Sequence, residues 1–202
     1  MTQSTTPPSI CPWLVKTAAF LNEIGIKTVE VEQVEGFLPN CRITEGGLVY
    51  TSACDVSDLL HEAGHIATVP AQFRHYLDGD VSSAHKSMLR DIAEMDLEPD
   101  EWLHRAALQC SDPEATAWGW AAGEYLDIPK ELRILNHHFE HEGASQRLGL
   151  DMGHHMGING LSHGGFCVTR KMLEKPMGRP AFPRLLHWTQ PVIEKATSEM
   201  RR

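Results

Sequence analysis

Positive charge is scarce in this chain: 18 Lys and Arg stand against 27 Asp and Glu, a formal net charge of −9. Broad nucleic-acid binding needs a basic surface that displaces counterions, so that class is excluded first. The deficit is uneven. From Val168 to Arg202 there are eight Lys/Arg and three Glu, a local +5 that leaves −14 for the rest, and this basic end reads as a solvated surface. The five cysteines, at positions 11, 41, 54, 110 and 167, form no C-x-x-C pair and are odd in number. That excludes a disulfide framework or a structural zinc knuckle and leaves buried, reduced thiols as the expectation. No hydrophobic run reaches the length of a membrane span, and Met1 to Ile10 lacks the basic and apolar regions of a signal peptide, so a cytoplasmic location is expected. The glycines fit neither a Rossmann nor a P-loop pattern, and there is no internal repeat. What remains, 202 residues at 42% hydrophobic content, is enough for one core and one domain.

Histidine is abundant, 12 in all, and two of these stand in Leu59-Leu60-His61-Glu62-Ala63-Gly64-His65-Ile66. On a helix Val56, Leu59, Leu60, Ala63, Ile66 and Ala67 form an apolar stripe, with His61 and His65 nearly opposite and about 40° apart. Asp55 or Ser52 can cap its start. Two imidazoles at i and i+4 predict a divalent metal, with Glu62 aimed at a metal-activated water as general base. A chance HExxH at this histidine content has a probability on the order of a few per cent.

Two ligands do not make a site, and the third is sought among the acids. Ser111-Asp112-Pro113-Glu114 opens a helix on which Glu114, Trp118, Ala121 and Tyr125 share a face. Glu114 therefore begins the stripe expected to point inward, where a carboxylate is costly unless paired or metal-bound. The competing reading is a capping box, Ser111 with Glu114 three residues on; Glu124 and Asp58 are further alternatives. Glu114 is taken as the third ligand. Ala117, Gly119, Ala121, Ala122 and Gly123 would let this helix approach another closely.

The remaining chain reads as support. Pro12 to Ile24 is a helix stopped by Gly25; Ile26 to Val34 is a half-buried strand with Val29 and Val31 alternating with Glu30 and Glu32; Gly47 to Thr51 is a second β run after a Pro39-Asn40 turn. Pro70 closes the histidine helix, Asp78-Gly79-Asp80 is a turn, and two scaffold helices follow, through Ala84, Met88, Ile92 and Met95 and, after Pro99, through Trp102, Leu103 and Ala106. Six histidines lie between His137 and His163. His137 and His141 are again i and i+4, but no matching acid accompanies them, so solvated histidines or one imidazole assisting the first site is the expectation. Leu185 to Met200 is expected to be a terminal helix despite Pro191.

At His61-Glu62-Ala63-Gly64-His65 followed by Glu114-Ala115-Thr116-Ala117-Trp118, the sequence resembles the gluzincin-type zincin-like metallopeptidases, most closely the small cytoplasmic group of phage-immunity and radiation-response regulator proteases. In these the third-ligand glutamate opens a helix as E-A-x-x-aromatic, closed by a proline such as Pro129. The resemblance covers roughly Gly47 to Pro129. It implies a mostly helical α+β zincin-like fold with a short sheet before the HExxH helix, a core of about 12–129 with a helical, His-rich extension over 130–202, zinc held by His61, His65 and Glu114, and hydrolysis of a peptide or protein. Tyr76, Tyr125, His154, His155 and His163 are the candidates for a transition-state donor. Tyr76-Leu77-Asp78-Gly79 after the HExxH helix is also similar to elongation factor P hydroxylase, which implies ferrous iron and oxygenation instead. A third expectation is a regulatory protein with a structural metal, which would leave Glu62 without a role.

Overall fold

Pro12 in its first turn and Gly25 just beyond its end, at φ +88°, bound the first helix, α1 (Pro12–Glu23), in the computed structural model, which describes residues 11–194. Met1 to Ile10 and the end of the chain from residue 195 lie outside the described residues. Three short strands follow: β1 (Thr28–Glu30), β2 (Cys41–Thr44) and β3 (Gly47–Tyr50), in the order β1-β3-β2. β1 runs parallel to β3 with Thr28 opposite Leu48, and β2 runs antiparallel to it with Cys41 opposite Tyr50. Glu45 and Gly46, both at positive φ, make the two-residue turn between β2 and β3 that matches the twist of paired strands.

The strand expected over 26–34 is shorter and turned over: Thr28 is buried and Val29 exposed. Asn22 is the cause. Its side-chain amide accepts from the Thr28 N–H at 3.0 Å and donates to the Thr28 carbonyl at 2.9 Å, fixing the strand with Thr28 inward. The unforeseen strand is β2, whose Cys41 and Ile43 face the core while Arg42 is exposed.

The histidine helix, α2 (Val56–Thr68), is central. Every residue in it except His61 is buried, so its polar face is covered as well as its apolar one. α3 (Val81–Glu94), capped by the Asp80 carboxylate on the Ser82 N–H at 2.9 Å, and α4 (Trp102–Leu108) follow as scaffold. Then α5 (Asp112–Tyr125) packs along α2. A Cβ on Gly64 would stand 2.4 Å from the Ala115 carbonyl oxygen, and one on Gly119 3.2 Å from that of Leu60, so the two backbones meet where side chains are missing. The small residues of α5 thus permit the expected close approach.

Beyond Pro129 come the short α6 (Lys130–Arg133), a left-handed turn labelled α7 (His138–His141), α8 (Gly143–Asp151), α9 (Met156–His163) and α10 (Glu174–Met177). They join the same core through Leu150, Ile158, Leu161, Phe166 and Ile193. The glycines of α9 serve packing: a Cβ on Gly157 would fall 1.8 Å from the Pro113 carbonyl oxygen, and one on Gly160 1.8 Å from the Glu114 carboxylate. Residues 185–194 are irregular, not the expected helix, and the remainder of that expectation, to Met200, lies outside the described residues. The physical reason is that the segment's polar groups serve other elements. The Gln190 N–H donates to the Ala67 carbonyl at 2.8 Å, its side chain to the Gly164 carbonyl at 2.8 Å, and the Trp188 carbonyl accepts from the Trp118 indole at 2.8 Å. Arg74 completes this end of α2, donating to the carbonyls of Ile66, Val69 and Gln190. The architecture is α+β, mainly helical, with the three-stranded sheet preceding α2. Among the described residues no helix is long and apolar enough to cross a membrane.

Candidate metal centre

One helical turn between His61 and His65 brings their Nε2 atoms to 3.3 Å. The nearest carboxylate is that of Asp112, the first residue of α5, whose Oδ1 lies 3.2 Å from His65 Nε2 and 3.9 Å from His61 Nε2. Among the described residues these three donors form the group of His, Cys, Asp and Glu atoms close enough to share an ion. Four donors around zinc at roughly 2.0–2.2 Å stand about 3.4 Å from one another, so the three separations suit one face of a zinc tetrahedron.

Glu114 is not brought to the pair. Its Oε2 accepts from the Ser111 N–H at 3.1 Å and from the Ser111 hydroxyl at 2.6 Å, the capping arrangement that competed with the ligand reading. The helix explains the exchange, because residues two apart on it point roughly 200° from each other and only one of Asp112 and Glu114 can face α2. α5 is buried from Glu114 to Gly123, so it has two inward faces. Glu114 and Trp118 belong to the face towards α9 and the tail. Ala115, Thr116 and Gly119 belong to the face towards α2, with Asp112, its side chain 80% exposed, at the open end of that face, and the small residues were the signal that could have found Asp112.

The surroundings of His61 suit a neutral imidazole, whereas the buried Nδ1 of His65 has no hydrogen-bond partner among the described residues. The Thr116 hydroxyl lies 3.3 Å from His61 Nδ1, so it can accept the Nδ1–H and leave the Nε2 lone pair towards Asp112 and His65. Burial, then the neighbouring His65, pushes His61 down to about 3, which keeps it neutral at neutral pH. A hydrogen bond from His65 holds the Asp112 carboxyl below the usual carboxylate range; a divalent ion would take the place of that shared proton. Glu62 is buried, and burial raises its carboxyl above the ordinary range, which makes it a stronger base.

Two cavities flank the group. One, of about 500 Å³, is lined by His61, Asp112 and Thr116 together with His137, His138 and Phe139. The other, of about 680 Å³, is lined by Glu62, His65, Asp112 and His85. Phe37, almost wholly exposed, borders both. None of Tyr76, Tyr125, His154, His155 and His163 lines either cavity. The Tyr76 hydroxyl donates to Asp91, Tyr125 packs on Phe20 and Trp188, and His155 caps α9. The histidine that the pattern missed is His85, whose ring is 6.4 Å from that of His65 and whose buried Nε2 has no hydrogen-bond partner among the described residues. His137 and His141 flank the left-handed turn, with Phe139, Glu140 and His141 all at positive φ, so their i, i+4 spacing does not place them one above the other. The cysteines are free and, apart from the half-buried Cys11, buried; burial pushes Cys110 and Cys167 up to about 12, away from thiolate chemistry.

No protein-family model, no curated protein and no solved structure matches the chain. Its own geometry therefore carries the functional reading.

Proposed function

We propose that the chain is a zincin-like, zinc-dependent hydrolase acting on amide bonds of a peptide or protein, with His61, His65 and Asp112 as the metal ligands and Glu62 as general base. The observation that carries this reading is the His61–His65–Asp112 group with the buried Glu62 carboxylate in the same cavity as His65 and Asp112. A zinc ion held there would polarise a carbonyl and make a water nucleophilic near neutral pH. Glu62 receives the proton that the attacking water gives up and returns it to the leaving amine. Cavities on both sides leave room for a chain running past the site. A closed structural site would have no use for such a base.

The same observation supports a second reading, because two histidines and one carboxylate on one face with open positions also suit ferrous iron and oxygen chemistry. Metal analysis of protein purified in air and anaerobically separates the two. About one zinc per chain in both samples, with no substrate-dependent oxygen uptake after loading with ferrous iron, is the expected result. Since divalent affinity generally rises from iron to zinc, the anaerobic sample decides: ferrous iron there, with oxygen consumed on adding a substrate, overturns hydrolysis.

A further inference from the structure

We propose that the cavity on the His61 side binds an ammonium or guanidinium group carried on an apolar stem, with the Asp58 carboxylate as its counter-charge. The inference deepens the hydrolase reading, since His61 and Asp112 line the same cavity and a bound cation would sit on the substrate beside the metal group.

Phe37, Leu38, Leu60, Ile134 and Phe139 form the apolar part of the wall. Asp58, in the first turn of α2, lines the cavity with a side chain only 8% exposed. A first-turn carboxylate that merely answers the helix dipole needs no such burial, and burying one among apolar walls is costly unless a cation meets it. Among the described residues its ion-pair partner is the His138 imidazole, with Nε2 3.3 Å from Asp58 Oδ1. Burial pushes His138 down and Asp58 up to about 6, against the opposing pull of His137 in the same wall, so at neutral pH Asp58 is met by imidazoles and not by a permanent cation.

Among the described residues the one permanent cation in the wall, Arg133, is already committed. Arg133 donates through Nη1 to Glu124, through Nε to the Ile128 carbonyl at 2.7 Å, and lies over the Trp120 ring at 4.9 Å. Asp55, exposed and also lining the cavity, adds negative charge on the same side. A flexible stem fits the apolar part of the wall, its charged end reaches Asp58, and the Phe139 ring stands in the same wall. Lysine-like and arginine-like side chains have this chemistry; a carboxylate-bearing side chain would meet Asp58 and Asp55 as like charges.

The test uses the full chain, with chelator and separately with zinc, titrated by calorimetry with n-butylguanidinium and with its neutral isostere n-butylurea. Saturable binding of butylguanidinium, at least about tenfold tighter than butylurea, is expected, as is loss of that difference in Asp58→Asn. Equal binding of the two probes, absence of saturable binding, or discrimination that survives Asp58→Asn overturns the proposal. The wild-type comparison needs no variant, so it decides even if Asp58→Asn fails to fold. Hydrolysis is read separately on peptides carrying lysine or norleucine. Probe discrimination without any hydrolysis removes the hydrolase reading and leaves the cation pocket; hydrolysis of both peptides alike without probe discrimination removes the pocket alone.

Discussion

Asp112 and Glu114 begin the same helix, yet the difference of two residues, about 200° of rotation, sends one to the histidines and the other into the cap. The motif pair His61 and His65 was legible because a single helical turn fixes their mutual geometry. The third donor was not, because it depends on which face of α5 meets α2, and both faces are buried. Thr116 follows from the same placement. Thr116→Val removes the oxygen beside His61 Nδ1 and is expected to weaken zinc binding by about 10–100-fold with little change of fold, measured by competition with a chromophoric chelator. An unchanged affinity would show that Thr116 does not orient His61. Glu62→Gln is expected to retain zinc and thermal stability and to lose turnover by about two to four orders of magnitude. Loss of zinc in that variant would make Glu62 a ligand or its essential support.

The elements around the site owe their positions to contacts that local sequence signals only partly. Pro12, Gly25, Pro70 and the Asp78-Gly79-Asp80 turn mark boundaries that hold in the fold, since proline and glycine act on their own backbone. β1 is turned over relative to its alternation because Asn22, six residues away, holds Thr28 inward. Residues 185–194 stay irregular because they complete α2 and α5. Two substitutions test this scale. Gly64→Ala raises helix propensity by roughly 1 kcal/mol but drives a methyl into the Ala115 carbonyl, so destabilisation by about 1–3 kcal/mol is expected in urea unfolding. A neutral or stabilising result would mean that α2 and α5 are further apart. Arg74→Met leaves the Ile66, Val69 and Gln190 carbonyls without their donor and is expected to cost about 2–3 kcal/mol, with zinc affinity retained in the folded fraction.

Across the whole molecule, burial lowers His61, His85, His138, His155 and His187 below the ordinary histidine value. Each is harder to protonate folded than unfolded, so its contribution is present above the ordinary value and lost as pH falls through it. Asp58 and Glu62, raised by burial, act in the opposite direction, since their protonation on acidification relieves a buried charge. The histidines are the larger set. Without metal, the thermal midpoint is expected to fall between about pH 7.5 and about pH 5.5, and His187→Gln, remote from the metal group, should flatten that slope. A slope unchanged in His187→Gln would remove His187 from the account. The α+β class and the position of the sheet before α2 were legible at this scale, because periodicity and turn residues are spread along the chain. The packing of residues 130–194 onto α2 and α5 was not, because it rests on glycines of α9 and on Gln190, whose partners are distant in sequence. The most direct measurement on the molecule as a whole is zinc stoichiometry and affinity for wild type, Asp112→Ala and Glu114→Gln under identical conditions. Asp112→Ala is expected to lose zinc at micromolar free metal while Glu114→Gln keeps one zinc per chain and, because a glutamine oxygen can still accept from Ser111, keeps its cap with little change of stability. Full zinc in Asp112→Ala together with loss in Glu114→Gln would contradict the His61–His65–Asp112 centre.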